Sequence, residues 1–173
     1  EFRYGQMAVR LDQEIPHRIQ SYLYPDADVK ARLTGARYTS VAPVWLAAPQ
    51  THVLLDRYEA TFPHELAHVF SRPHGFWLLN APLQAGLVEG WAVALEPPDA
   101  LPAPHAQVAA AATIFEDSAL AERLAASLSP QGFWTGRSAV SYTTTGSFVQ
   151  WLLDQYGAER LKRVYRRAEF EQV

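Results

Sequence analysis

The chain of 173 residues contains no cysteine and a single methionine, Met7. Without cysteine there is no disulfide, no thiolate metal site and no cysteine nucleophile, so any bound metal has to be held by histidine or carboxylate. An excess of charge of one sign is missing too: 15 Lys+Arg stand against 18 Asp+Glu, a net charge of −3. That balance, with no basic block, gives no electrostatic reason to expect a nucleic-acid partner. No apolar stretch approaches the ~18 residues of a membrane-crossing helix, so no transmembrane segment is expected in this chain.

What is present is a globular composition, 49% apolar and 12% aromatic, with six histidines that call for an explanation. The length suits one domain, residues 1–173, with enough chain to bury a sizeable core. The chain begins at Glu1 and shows no signal peptide. It reads as an excised domain or mature segment of a larger parent protein, and an extracytoplasmic placement is the expectation.

Residues 4–14 place Met7, Leu11 and Ile15 at helical spacing, with Pro16 ending the run. His17–Tyr24 alternates as a strand, and 26–33 reads as a short helix capped by Asp26 and stopped by Gly35. Two β-rich runs, 37–44 and 51–56, are expected to form an antiparallel hairpin. From residue 60 the pattern becomes helical: 61–72 with Pro63 in its first turn, then 82–95 closed by Pro97-Pro98. Four prolines in 97–104 divide an upper part, about 1–96, from a helical lower part, about 97–173. Helices are expected over 106–115, 118–128, 143–156 and 158–168, with 132–141 as a loop. Strands first and helices after argue an α+β fold: a small mixed sheet in the N-terminal half packed on the helix of residues 61–72, then a mainly helical half.

The chemistry is concentrated in His64-Glu65-Leu66-Ala67-His68. Residues four apart share one face of a helix, so both imidazoles can reach one metal ion. Glu65 lies about 100° further round, placed to touch a water on that metal without ligating it. This is the arrangement zinc-assisted hydrolysis requires. Apolar neighbours on every side (Leu66, Ala67, Val69, Phe70) point to a buried helix, where two histidines without partners would be costly.

A catalytic zinc site takes three protein ligands and leaves one position for water. Two residues compete for the third place. His74 has the six-residue spacing of the metzincin pattern, but Ser71 stands at that pattern's glycine and no later methionine can form its Met-turn. Glu89, in Ala85-Gly86-Leu87-Val88-Glu89-Gly90-Trp91-Ala92, sits among apolar residues on a second helix, with glycines that permit close approach. Glu89 is the favoured ligand. Glu96, seven residues on and on the same face, has two readings, a partner to the metal-site residues or a solvated helix end before Pro97, and the second is favoured. His17, His52 and His105 read as ordinary structural or surface residues, and the five tryptophans as core or groove wall. The basic run Arg160, Lys162, Arg163, Arg166, Arg167 reads as a solvated face.

Together H64-E65-L66-A67-H68, the E89-G90-x-A92 segment and Y142-T-T-T-G146-S147-F148-V149-x-W151-L152 resemble a gluzincin zinc metallopeptidase of the peptidase MA-like type, a family distantly similar to thermolysin and the zinc aminopeptidases. The resemblance spans about residues 17–168. It implies a zincin-like fold, a Zn2+ ion held by His64, His68 and Glu89, Glu65 as general base and a peptide or protein substrate. It further suggests Tyr142 as a donor to the developing oxyanion, although the tyrosine-to-glycine spacing is one residue longer than in related aminopeptidases. Two departures stand out. Val93 occupies the position where thermolysin-like helices carry an Asp that orients a zinc histidine, and no segment for gripping a free N-terminus is visible. The expected reaction is peptide hydrolysis, with substrate extended along an edge strand within 37–56. The competing expectation is a non-catalytic zinc-binding or sensory module on the same scaffold.

Overall fold

A computed structural model describes residues 1–76, 78–97, 103–115 and 120–167. Trp77, residues 98–102 of the proline-rich segment, the start of the helix expected from 118 and residue 168 lie outside the described residues. The fold is mixed α and β, mostly helical, with a two-stranded sheet near the N-terminus.

Helix α1 (Phe2–Leu11) buries Met7 and Leu11 on one face. It stops earlier than the apolar spacing suggests, because Asp12 turns left-handed (φ 46°) and its amide closes back on Ala8 and Val9. Strand β1 (Gln20–Tyr24) pairs in parallel with β2 (Gln50–Leu54), Gln20 opposite Gln50 and Tyr24 opposite Leu54. Between them α2 (Ala27–Thr34) starts on Asp26, whose carboxylate accepts from the Asp28 and Val29 amides, and ends on left-handed Gly35. Both caps are those expected from the sequence.

The antiparallel hairpin is not formed. Of its first run only a single bridge survives, Val41 opposite His52, on the edge of β2 away from β1. Pro43 has no N–H to continue a ladder, and the chain turns there, with the Leu46 amide bonding to the Pro43 carbonyl. The sheet is therefore parallel with one antiparallel bridge. Fully buried Lys30 holds the preceding segment by donating to the Ala36 and Thr39 carbonyls at 3.0 and 2.6 Å.

Helix α3 (Tyr58–Ser71) starts three residues before the expected position, fed by a 3₁₀ turn at Leu55–Arg57. Pro63 therefore sits inside the helix rather than in its first turn. Helix α4 (Ala85–Leu95) lies against α3 and against the long α8 (Ser138–Arg167), which breaks at left-handed Gly157 where the sequence suggested two helices. Helices α5 (Pro104–Phe115) and α6 (Leu120–Leu128) flank this pair. A further helix, α7 (Pro130–Thr135), and the start of α8 replace most of the loop expected over 132–141. Ser129 caps α7 by accepting from the Gly132 amide, and Pro130 fits its first turn.

The core joins Leu66 and Phe70 of α3, Leu87 and Trp91 of α4, and Leu152, Leu161 and Tyr165 of α8, with Met7 and Leu11 of α1. The α4–α8 crossing is tight. A Cβ on Gly90 would stand 2.7 Å from the Thr145 carbonyl oxygen, and one on Gly146 would collide with Val93. Among the described residues no helix is long and apolar enough to cross a membrane.

Candidate metal centre

Helices α3 and α4 bring three of the residues singled out above to one point. His64 and His68 project from successive turns of α3, their rings 4.9 Å apart and nearly perpendicular. Glu89 reaches them from α4: its Oε2 lies 3.2 Å from His64 Nε2 and 3.7 Å from His68 Nε2. One ligand atom from each residue falls within 4.8 Å of the other two, so the group could hold a metal ion. Two ligands about 2.0–2.1 Å from zinc at a tetrahedral angle are about 3.3 Å apart, so the spacings to Glu89 fit that ion. Two imidazoles and a carboxylate are also a donor set zinc accepts.

The environment is dry enough for these charges to matter. Burial lowers the His64 pKa, but hydrogen bonds to Glu89 and Glu96 outweigh it and raise the value to about 10. Metal binding at Nε2 therefore competes with a proton. Burial pushes the Glu89 carboxyl up, and its bonds to His64 and His68 overcome this and hold it well below the usual carboxylate range. Glu65 is buried on the neighbouring face, and burial raises its pKa against the opposing pull of His68 and His64. Its carboxylate also accepts from the Ala42 backbone amide, which ties it to the edge segment beside β2.

Tyr142 enters from α8, its ring centroid 6.2 Å from that of His64. Burial, then the charge of Glu89 and a hydrogen bond donated to it, raise the Tyr142 pKa so that the phenol keeps its proton. A cleft of about 1110 Å³ opens here, lined by Tyr38, Ser40, His64, Glu65, Glu96 and Tyr142 among others.

At Glu96 the structure overturns the favoured of the two sequence readings and agrees with the other, a partner to a residue of the site. Glu96 is not an idle helix end: its Oε1 lies 2.6 Å from His64 Nδ1. The residue caps α4 in an extended conformation (φ −59°, ψ 142°), with its own amide still bonded to the Ala92 and Val93 carbonyls. The seven-residue spacing from Glu89 was the signal available. What the sequence could not supply is how α4 crosses α3.

His74 stands apart from this group. Its Nε2–H donates to Gln13 Oε1 at 2.7 Å, while its Nδ1 is buried without a partner. Burial, followed by Lys162 and Arg166, lowers its pKa to about 4, so the ring stays neutral. His52 accepts from Tyr24 at Nδ1 and donates to Gln50 from Nε2; His105 Nδ1 pairs with Ser147 Oγ, and His17 is exposed. These are the structural and surface settings expected of them. Of the tryptophans, Trp91 is core, whereas Trp45, Trp134 and Trp151 are exposed and line no groove shared with the site. In the basic run, Arg160, Arg163 and Arg166 face solvent, but Lys162 is buried and paired with Glu159. Compared with known proteins, the chain matches no family model, and no curated protein or solved structure matches it either.

Proposed function

We propose that the chain is a zinc-dependent metallopeptidase of gluzincin type on a zincin-like fold, with His64, His68 and Glu89 as the zinc ligands and Glu65 as general base. The observation that carries this reading is the approach of both Nε2 atoms to one oxygen of Glu89, beside a buried glutamate on the next face of the same helix. A bound zinc supplies a Lewis acid that polarises a carbonyl and acidifies water.

The remaining steps belong to the chain. Glu96, accepting from His64 Nδ1, fixes the ring so that Nε2 faces Glu89. Glu65 takes a proton from the attacking water and delivers it to the leaving amine. Its raised pKa suits both duties, because a carboxyl that is too acidic would not hold the proton between them. Tyr142 keeps its hydroxyl proton, and by turning it from Glu89 toward the substrate carbonyl it steadies the negative charge that develops there. The substrate is a peptide lying extended along residues 38–42, where Tyr38 and Ser40 line the cleft and β2 already pairs at Val41.

The test is turnover of a mixed peptide library. Cleavage is expected with zinc, is lost on chelation and returns when zinc is restored. Glu65→Gln is expected to lower kcat by about a thousandfold or more, in the upper part of the span of general acid–base effects because the same group also serves the leaving amine. Zinc content must stay at that of the parent in this variant. Full activity in Glu65→Gln would sink the mechanism, and zinc binding without turnover of any peptide would favour a non-catalytic module.

A further inference from the structure

Lys30 is the most deeply buried lysine among the described residues, with none of its surface exposed, and the mechanism gives it no task. All three of its N–H groups have partners. Nζ donates to the Ala36 and Thr39 carbonyls at 3.0 and 2.6 Å, and it stands 5.9 Å from the centroid of the Tyr24 ring. Both carbonyls belong to the segment that leads into the cleft at Tyr38 and Ser40.

That segment pairs with β2 only at the Val41–His52 bridge. Continued by two residues, antiparallel pairing would set Thr39 opposite Leu54, where β2 ends and the 3₁₀ turn begins. Lys30 supplies the donor that β2 no longer offers to the Thr39 carbonyl. A trans peptide unit points its C=O and N–H in opposite directions, and among the described residues none is cis. In the Val41–Ala42 unit the carbonyl accepts from the His52 amide, and the amide on the other side donates to Glu65. In the Thr39–Ser40 unit the carbonyl accepts from Lys30, so the Ser40 amide faces away from that buried ammonium. Among the described residues no group accepts from the Ser40 amide, while the Ser40 hydroxyl donates to Thr61 Oγ1 at 3.2 Å.

We infer that the Ser40 amide donates to a main-chain carbonyl of the bound peptide, and that Lys30 is the positioning residue that aims it. The inference rests on the peptidase reading for the nature of the ligand. Alternate residues share one edge of an extended chain, so Ser40 is the donor next in line to Ala42, whose amide Glu65 already holds. A cation bonded to the carbonyl of a peptide unit also polarises it and strengthens the N–H at its other end. Lys30 therefore acts on the peptide through a single peptide plane without touching it.

Fluorescence anisotropy of a labelled random octapeptide pool, titrated with chelated protein, reads binding without cleavage. The parent is expected to bind. Ser40→Pro removes the amide and leaves Lys30 in place; Lys30→Met keeps the stem and removes the ammonium. Each should raise Kd by about tenfold, the loss of one hydrogen bond strengthened by charge. With zinc, KM should rise by about as much and kcat should stay within about twofold, because the contact is made in ground and transition states alike. Leu33→Ser, on an exposed leucine of α2, should change neither constant. The inference is overturned by an unchanged Kd in either variant or by a parent that binds no peptide. It is overturned equally if Lys30→Met lowers kcat at unchanged KM, the mark of a lysine that only supports the fold. A parent that binds the pool and cleaves nothing would remove the peptidase reading, and the two variants would still decide the inference. If Lys30→Met does not fold, the 15N signal of the parent's Lys30 ammonium takes its place: it should shift as the octapeptides bind, and an unmoved signal overturns the role given to Lys30.

Discussion

Two carboxylates seven residues apart divide the work of α4. Glu89 points at the imidazole Nε2 atoms, and Glu96 holds the far nitrogen of one of those rings. Ligand histidines depend on such an acceptor, and its loss typically costs ten- to a hundredfold in metal affinity. Glu96 is more exposed than Glu89, so water screens part of its charge and its effect is mainly to orient the ring. Glu96→Ala is therefore expected to weaken zinc binding by about ten- to thirtyfold, and Glu96→Gln, which keeps an acceptor oxygen, by less. Competition with a chromophoric chelator measures both; identical affinities in all three proteins would show that the contact orients nothing. The contrast between these residues also marks what a sequence discloses. His64, Glu65 and His68 are legible because one helical turn fixes their relation before any tertiary structure exists. Glu89 was reached from its apolar surroundings. Glu96 could be placed on the same face as Glu89 but not given a partner, because that partner lies 32 positions away and their meeting depends on a helix crossing.

Among the elements, the crossing of α4 over α8 decides where Glu89 points. Gly90 is next to it in sequence, and a methyl there would meet the Thr145 carbonyl oxygen at 2.7 Å and the Val149 side chain at 2.9 Å. Alanine gains about 1 kcal/mol of helix propensity over glycine, but overpacking against backbone costs about 1–3 kcal/mol and the oxygen cannot rotate away. Gly90→Ala is expected to lower stability by about 1 kcal/mol in urea unfolding. It should also loosen the proposed zinc, since relief of the clash displaces the neighbouring Glu89, its proposed ligand. Gly5→Ala in α1 is the control: nothing lies within 4 Å of the added methyl, so only the propensity gain remains and stability should rise. A stabilised Gly90→Ala would mean the helices part without cost. Elements with local signals were legible: α2 from Asp26 and Gly35, the break in α8 from Gly157, α4 from its apolar run. Strand partners were not. Whether 37–44 pairs with β2 depends on Pro43, and that β1 instead lies parallel to β2 is a long-range choice with no local signature.

For the molecule as a whole, the proposed zinc would be a clamp as well as a reagent. Its ligands come from α3 and α4, the two helices that with α8 supply most of the core, and they approach one another across a region where Glu89 and the histidines are largely removed from water. Without a metal, that cluster is held only by shared protons. With it, any unfolding that separates α3 from α4 has to release the ion. A ligand present at a hundred times its dissociation constant stabilises a native state by about 2.7 kcal/mol. For a chain of this length each kcal/mol moves the melting midpoint by about 2–4 °C, so chelation should lower Tm by about 5–10 °C and added zinc should restore it. The variants separate the assignments within the site. Glu65→Gln and His74→Ala should keep the zinc-dependent shift, because neither residue is a ligand in the proposed site, while Glu89→Ala should lose most of it. Scanning calorimetry with and without chelator reads all four proteins in one series. A shift that survives Glu89→Ala but disappears in His74→Ala would move the third ligand to His74. No shift in the parent would mean that the group binds no metal tightly, and the peptidase reading would fall with it.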